Sequence, residues 1–263
     1  MSISFMKKYN QRIHLVKNTV AKMLVLSMGI FPIFSHAGVV VGATRFIYGS
    51  SQQNGIAFSV KNTDALAYLI QAKVVADDGK NTAGSIPNYA VNSSAPFIIS
   101  PPLFRLRDNQ ENTLRVIRTG GDLPMDHESL FGITVAAIPE GKPGPNSLQV
   151  AIRSRFKLLY RPEGLKGNPS YAYEKLTWQR NGKDISVSNP TPFYVTVFQL
   201  TVNGKVKDDA GMVAPFSTRT QSWCPESGAC DLRWQSLNDF GGVMPAWHIT
   251  PTSMAKAGQS DKL

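Results

Sequence analysis

Hydrophobic and polar residues alternate along this chain in short segments, and almost no segment shows the spacing of an amphipathic helix. The segments are rich in Val, Ile, Thr, Phe and Tyr and are separated by clusters of Gly, Pro, Asn and Asp; they span residues 55–62, 67–75, 112–118, 130–137, 149–160, 184–188 and 193–201. Alternation with a period of two is typical of half-buried strands, and turns that recur at about 8–12 residues are typical of sandwiches. The pattern predicts an all-β fold rather than βαβ units.

A segment rich in Pro and Gly interrupts the strands near the middle of the chain. Residues 161–169 have the sequence RPEGLKGNP, a composition that is typical of a turn or linker. We therefore expect a hinge there, joining two immunoglobulin-like β-sandwich domains at residues 38–160 and 161–250. Residues 251–263 are polar, and we expect them to form a frayed tail.

Residues 1–37 have the composition of an export signal. They contain five basic residues and no acidic residue, and the apolar run 23–31 is followed by Pro32 and by small residues that end at Ala37. This order predicts a signal peptide cleaved after Ala37, and hence an exported protein. The apolar run is shorter than the roughly 20 residues that span a bilayer. An N-terminal membrane anchor is the alternative.

The charge of the chain and its motifs exclude several classes of function. The leader holds five of the 28 basic residues and none of the 18 acidic residues, so the formal net charge is +10 for the whole chain and +5 without the leader. No block rich in Lys and Arg follows, so nucleic acid is not an expected partner. A nucleophile elbow, a phosphate-binding loop and a helical zinc motif are also absent from the sequence. We expect no enzymatic activity, no cofactor and no small-molecule substrate.

The chain has only two cysteines, Cys224 and Cys230, and they lie close together. Residues 225–229 between them are typical of a turn. In an exported protein such a pair predicts a disulfide that closes a hairpin loop. A metal site is the alternative, but after the leader only His127 and His248 could add imidazole ligands, and we expect no metal.

The last strand-like segment of the first predicted domain is unusually long. Between residues 146 and 162, the even positions from Leu148 to Tyr160 are apolar except for Ser154. Strands average about 5–6 residues, so part of this one could extend beyond its sheet and offer an unpaired edge to a partner. The alternative, which periodicity alone favours, is an ordinary closing strand whose apolar face lies entirely in the core.

Several motifs occur together in one order and spacing. They are PPLFRL at 101–106, NTLRVIRT at 112–119, LPMDHESLF at 123–131, AIP at 137–139, NPTPFYVT at 189–196 and NDFGG at 238–242. In this order they resemble the PapD-like periplasmic pilus chaperones over nearly the whole chain after residue 37. The resemblance implies an ATP-independent chaperone with two immunoglobulin-like domains, whose partners are pilus or fimbrial subunits and an outer-membrane usher. The alternative is a secreted immunoglobulin-like adhesin or a structural fimbrial protein.

The resemblance also implies how a subunit is held. Arg45 and Lys157 would anchor the carboxylate at the C-terminus of the subunit. Leu148, Val150 and Ile152 would be donated to the open groove of the subunit, which lacks one strand. Strict alternation places Lys157 and the donated residues on opposite faces, so we expect a twist or a bulge that lets one subunit meet both.

Two further sets of residues follow from the resemblance. Glu128, Arg161 and Asp239 would form an ion network that fixes the angle between the domains. Leu69 and Gln71 would belong to the surface that contacts the usher.

The sequence departs from the family pattern at three places. Gly132 stands where a larger and often aromatic residue is usual, which leaves the local packing open. The loop at 140–147 is short, as in the subgroup that serves rod-like pili. The two cysteines precede the 238–242 motif, whereas the PapD disulfide follows it.

Overall fold

The computed structural model describes residues 38–77, 95–141, 148–208, 210–250, 256–257 and 259–260 of the chain. The predicted signal peptide, residues 1–37, lies outside the described residues, and so do residues 142–147 of the predicted short loop. Among the described residues, no helix is long and apolar enough to cross a membrane.

The described residues form strands and one short helix, as the alternating pattern predicts. The strands are β1 Val39–Val41, β2 Arg45–Gly49, β3 Ile56–Asn62, β4 Tyr68–Ala76, β5 Phe97–Ser100, β6 Leu103–Leu106, β7 Glu111–Arg118, β8 Ser129–Pro139, β9 Ile152–Arg161, β10 Thr177–Asn181, β11 Asp184–Asn189, β12 Val195–Thr196, β13 Phe198–Val202, β14 Lys205–Val206, β15 Met212–Val213, β16 Ser217–Gln221, β17 Leu232–Gln235, β18 Trp247–Ile249, β19 Lys256–Ala257 and β20 Gln259–Ser260. The helix is a 3₁₀ helix at Pro169–Lys175, which begins after Asn168 because the Asn168 side chain accepts a hydrogen bond from the Ser170 amide.

The first sandwich packs two sheets face to face. One sheet has the order β1-β3-β7-β5, and the other has the order β2-β9-β8-β4-β6. The pairing of β2 with β9 is parallel, whereas the other pairs in these sheets are antiparallel. Alternate side chains of both sheets meet in one core, which includes Val60, Leu114, Ile133 and Leu158.

The second sandwich has its own core around Trp178 and Trp234, whose rings lie 5.1 Å apart. Its sheets have the orders β16-β11-β10-β19 and β14-β13-β17-β18-β20, with β12 and β15 as a separate pair. The chain is therefore an all-β protein made of two immunoglobulin-like sandwiches.

The predicted disulfide is present in the second sandwich. Cys224 and Cys230 are bonded, with their Cα atoms 5.4 Å apart. The Arg180 guanidinium donates hydrogen bonds to two carbonyls of the closed loop, those of Gly228 at 2.6 Å and Pro225 at 2.7 Å. The loop is thus held to β10 as well as closed on itself.

Three details differ from the sequence-based expectations. The segment predicted as a strand at 149–160 begins pairing only at Ile152. The segment 193–201 is two strands that belong to different sheets, because β12 pairs with β15 and β13 pairs with β17; the second strand is itself irregular, with a left-handed Gln199 (φ 48°) where its register with β17 shifts. The tail at 251–263 is not wholly frayed, since β19 pairs with β10 and β20 pairs with β18.

A small apolar cluster joins the two sandwiches. Leu130 of β8 and Leu159 of β9 are buried against Met212 of β15, and Ile47 and Tyr194 pack at the margin of this cluster. The apolar contact brings the 190–196 segment of the second sandwich beside the sheet that contains β9.

Candidate functional site: the junction of the two sandwiches

Arg45 and Lys157 lie side by side at the junction. Arg45 begins β2 and is the direct partner of Lys157 on β9, which is in turn the partner of Gly132 on β8. Residues that face each other across paired strands point to the same side of the sheet. The register thus brings two basic side chains together from positions more than a hundred residues apart in sequence.

Arg45 is buried and is bonded to the second sandwich. Its Nη1 donates to the Leu237 carbonyl at 3.0 Å, and its Nη2 donates to Thr196 Oγ1 at 2.7 Å. Burial lowers the pKa of Arg45, although the carboxylates of Asp239 and Glu128 act in the opposite direction. A guanidinium has five N–H donors, so donors remain for an additional acceptor.

Lys157 is half-buried beside Arg45. Within the described part of the chain, its ammonium forms no hydrogen bond and no ion pair within 4 Å. Burial lowers the pKa of Lys157, and the Arg155 and Arg45 guanidiniums add to that effect, whereas Asp77 opposes it. Two adjacent and partly desolvated cations favour an anion that can accept hydrogen bonds from both.

Arg161 joins the sandwiches at the C-terminal end of β9. Its Nε donates to Glu128 Oε1 at 2.6 Å, and Nη1 and Nη2 donate to Asp239 Oδ2 and Oδ1 at 2.6 and 2.8 Å. The second oxygen of Glu128 accepts from the Tyr194 amide at 2.7 Å. The structure therefore brings together the three residues of the predicted ion network.

The network favours a charged Arg161. Burial alone would lower the pKa of Arg161, but its bonds to Asp239 and Glu128 outweigh that effect and raise the pKa. Burial raises the pKa of the Glu128 carboxyl, while Arg161 and the Tyr194 amide act against that rise. Each charged group is matched by a bonded partner, as a desolvated ion network requires.

The N-terminal end of β9 has an open side. β8 pairs with β9 along Ile152–Tyr160, but on the other side β2 covers only Lys157–Arg161, and within the described residues no strand pairs beside 152–156. Leu148, Val150 and Ile152 are 89%, 58% and 63% exposed. The interpretation of an ordinary closing strand is therefore wrong for these three side chains, which lie outside the core.

We expected a twist or a bulge, and of these two the bulge is absent from β9. Its register with β8 runs without a shift from Ile152 to Tyr160, so Ile152 and Lys157 do lie on opposite faces. The parallel pairing of β2 with β9 indicates another way in which one partner would contact both Ile152 and Lys157. A strand added in parallel beside 148–156 would lie in line with β2, and its C-terminus would end next to Arg45 and Lys157.

The residues of the predicted usher surface lie elsewhere on the same sheet. Leu69 is half-buried and Gln71 is exposed on β4, which β8 separates from β9. Their strand partners include Leu103 of β6 and Ile138 of β8, and both of these apolar side chains are exposed. The sequence analysis did not single out these two neighbours.

Sequence reasoning also missed the bonds of Arg45 to Thr196 and to the Leu237 carbonyl, and it missed an ion pair of Asp77 with Arg155. Among the residues that the structure describes, no group of three or more His, Cys, Asp or Glu side chains is placed to hold a metal ion.

Comparison with known proteins agrees with this geometry. Two immunoglobulin-like sandwiches in one chain, with an unpaired strand edge, have the architecture of a two-domain chaperone rather than that of a single-domain subunit. Residues 38–166 match the family profile of the pili and flagellar-assembly chaperone, PapD N-terminal domain, and residues 171–248 match the pili assembly chaperone PapD, C-terminal domain. The chain belongs to this family of PapD-like fimbrial chaperones.

Individual relatives are similar over most of their length. The chain is 41% identical to the uncharacterized fimbrial chaperone YcbF of Escherichia coli K12, over 79% of this chain and 86% of the relative. It is 37% identical to the E. coli K12 chaperone protein FimC, over 80% and 83%. In the Salmonella enterica complex of SafA pilin with the SafB chaperone, a chain with 36% identity superposes with a TM-score of 0.70, covering 84% of this chain and 98% of that one.

Proposed function

We propose that this protein is a periplasmic chaperone that binds pilus or fimbrial subunits by strand donation and delivers them to an outer-membrane usher. The observation that carries the proposal is the alignment of the open side of β9 with β2, which directs the end of an added strand to Arg45 and Lys157. Family membership and the SafA–SafB complex support it.

The basic pair would anchor the C-terminal carboxylate of the subunit. Arg45 has unused N–H donors, and Lys157 forms no ion pair within the described residues. Hydrogen bonds to charged groups contribute about 1.5–3 kcal/mol each. Because the guanidinium of Arg45 is already held by Thr196 and Leu237, little side-chain entropy would be lost when the carboxylate binds.

Leu148, Val150 and Ile152 would fill the groove left by the missing strand of the subunit. Their exposure in the free protein means that apolar surface remains to be buried. Full burial of an aliphatic side chain contributes about 1.5–3 kcal/mol, so three contribute about 5–9 kcal/mol as an upper value. On this basis the apolar row supplies most of the affinity, and the carboxylate anchor sets the register.

The ion network would keep the guanidinium of Arg45 in the position that binds the carboxylate. Arg161 ties Glu128, which also binds the Tyr194 amide, to Asp239 of the second sandwich. The Arg45 acceptors Thr196 and Leu237 lie in that same sandwich. A fixed angle between the sandwiches thus keeps the guanidinium of Arg45 directed toward its ligand.

Export and hand-over complete the proposed function. Residues 1–37 would act as a signal peptide cleaved after Ala37, and a similar structure is that of the periplasmic chaperone SfaE. Leu69 and Gln71, with their exposed neighbours Leu103 and Ile138, would contact the usher. No catalytic step enters this function, because holding and transfer depend on binding alone.

Subunit capture tests the proposal. Val150→Asp should abolish recovery of fimbrial subunits with the chaperone from periplasm, identified by mass, because a carboxylate would have to enter an apolar groove. Val206→Asp is the matched control, since Val206 is 66% exposed on β14 of the second sandwich. Equal recovery with Val150→Asp and with the wild-type protein would refute strand donation at this position.

A further inference from the structure

The side chain of Arg155 extends across the sheet beside Arg45 and Lys157, the basic pair that is proposed to anchor the carboxylate of a subunit. Val75, Gly132, Lys157 and Arg45 form one row across β4, β8, β9 and β2. A Cβ atom at Gly132 would lie 2.7 Å from Arg155 Nε, closer than such atoms approach each other. The missing side chain at position 132 therefore makes room for the arginine next to Lys157, which explains the local packing at this departure from the family pattern.

Asp77 receives the arginine on the far side of that row. Arg155 Nη2 lies 3.0 Å from Asp77 Oδ2, and the side chain of Asp77 is only 4% exposed. The same Nη2 donates to the Ala76 carbonyl at 3.3 Å. A buried carboxylate with a bonded guanidinium is a fixed pair of charges, because separating the two would leave one of them desolvated without a partner.

The pair lies within electrostatic reach of the anchor. Lys157 is influenced by the Asp77 carboxylate and by the guanidiniums of Arg155 and Arg45. Asp77 stabilises the charged ammonium, and the two arginines destabilise it. Asp77 is thus the carboxylate that acts on the Lys157 ammonium, against the two guanidiniums of Arg155 and Arg45.

We propose that Asp77, held by Arg155 across Gly132, is a resident counter-ion of the anchor that limits how strongly Arg45 and Lys157 bind the carboxylate of a subunit. This inference rests on the proposed function, since it assumes that the anchor takes a carboxylate. A resident negative charge repels an incoming one, so it weakens the complex and favours release. Asp77 and Arg155 are therefore positioning residues, which act through Lys157 and need not touch the subunit.

Removing the charges singly and together tests the coupling in the free protein. The Lys157 ammonium is followed by NMR titration of the full exported chain. Asp77→Asn should lower the pKa of Lys157, Arg155→Gln should raise it, and the double variant should return it close to the wild-type value. Opposite signs and cancellation are expected of charge coupling, whereas a purely structural role would shift the single variants in the same direction. Unchanged titration in all three variants would overturn the inference.

Binding is measured with a synthetic strand peptide that ends in a free carboxylate and with the same peptide ending in an amide. Asp77→Asn should increase the preference for the free acid by roughly threefold to tenfold, and Arg155→Gln should decrease it to a similar degree. The double variant should show nearly the wild-type preference. High salt should reduce all of these differences.

The two proposals fail in different ways. If the wild-type protein binds both peptides equally, or binds neither, the carboxylate anchor fails and this inference fails with it. If the wild-type protein prefers the free acid but Asp77→Asn leaves that preference unchanged or decreases it, only the resident counter-ion is overturned.

Discussion

The two ends of β9 carry the same alternation of apolar and polar residues, but the apolar side chains of one end are buried and those of the other end are exposed to solvent. Leu158 and Tyr160 are fully buried between the sheets of the first sandwich, whereas Ile152 is exposed, as is Val150 just before the strand. β2 pairs with one end, and no described strand pairs on that side of the other. Alternation therefore indicates which side of a strand is apolar, but it does not indicate whether the same chain or a partner covers that side.

The largest expected effect concerns the charged residue at the buried end. Arg161→Ala should reduce the free energy of unfolding by about 3–5 kcal/mol, because Glu128 would remain buried without its partner. Arg105→Ala is the control, since the Arg105–Glu140 pair is exposed to solvent and should contribute little to stability. Chemical unfolding of both variants measures the difference. Equal losses would show that burial does not distinguish the two pairs.

Alanine substitutions at the two ends compare the apolar residues directly. Leu158→Ala should lower the free energy of unfolding by about 2–5 kcal/mol, as expected for a cavity in a packed core. Ile152→Ala should change it by no more than about 0.5 kcal/mol and should weaken subunit binding instead. Thermal unfolding of the free variants, together with subunit capture, checks both. A strongly destabilised Ile152→Ala protein would mean that the open end belongs to the core.

The disulfide offers a stability change away from β9. Replacing Cys224 and Cys230 by Ser should cost about 2 kcal/mol, the value expected for so short a loop. Subunit binding should stay at the wild-type level, because the two cysteines belong to the core of the second sandwich and the exposed loop between them is held by Arg180. Thermal unfolding and subunit capture provide the two measurements. A loss of capture in the folded variant would connect the loop to binding.

The smallest effect is the pH dependence of the anchor. Burial lowers the pKa of Lys157, and a bound carboxylate requires the protonated ammonium. Affinity should therefore fall as pH rises through the pKa of Lys157, which lies below the usual value of about 10.4. Lys157→Arg should keep its affinity at higher pH, because the guanidinium stays charged. Titration of the free-acid strand peptide at several pH values would show whether the two curves separate.

The sequence predicts the regular strands well. The expected segments at 55–62 and 184–188 correspond closely to Ile56–Asn62 and Asp184–Asn189, because alternation and turn residues act locally. The break between β12 and β13 was not predicted, since it depends on the two strands pairing in different sheets, with β15 and with β17. The pairing of the tail with β10 and β18 depends on sheet edges that are distant in sequence.

The residues of the site could be predicted from the sequence only where they belong to a family motif. Arg161 and Asp239 are 78 positions apart, and nothing in their local sequence indicates that they meet. The Arg45 bond to the Leu237 carbonyl uses a backbone acceptor, which any residue type would supply. Asp77 and Arg155 escaped notice because their contact depends on the absence of a side chain at Gly132.

The position of β2 also limits what can follow the last residue of a captured strand. A strand paired beside residues 148–156 would lie in line with β2 along the same edge of β9, and the first residue of β2 is Arg45. Any peptide continuing beyond the end of that strand would collide with β2 or would have to turn out of the sheet. Under the proposed function, the chaperone would therefore select partners by chain length as well as by chemistry: it would bind strands that end beside Arg45 and exclude those with a carboxyl-terminal extension.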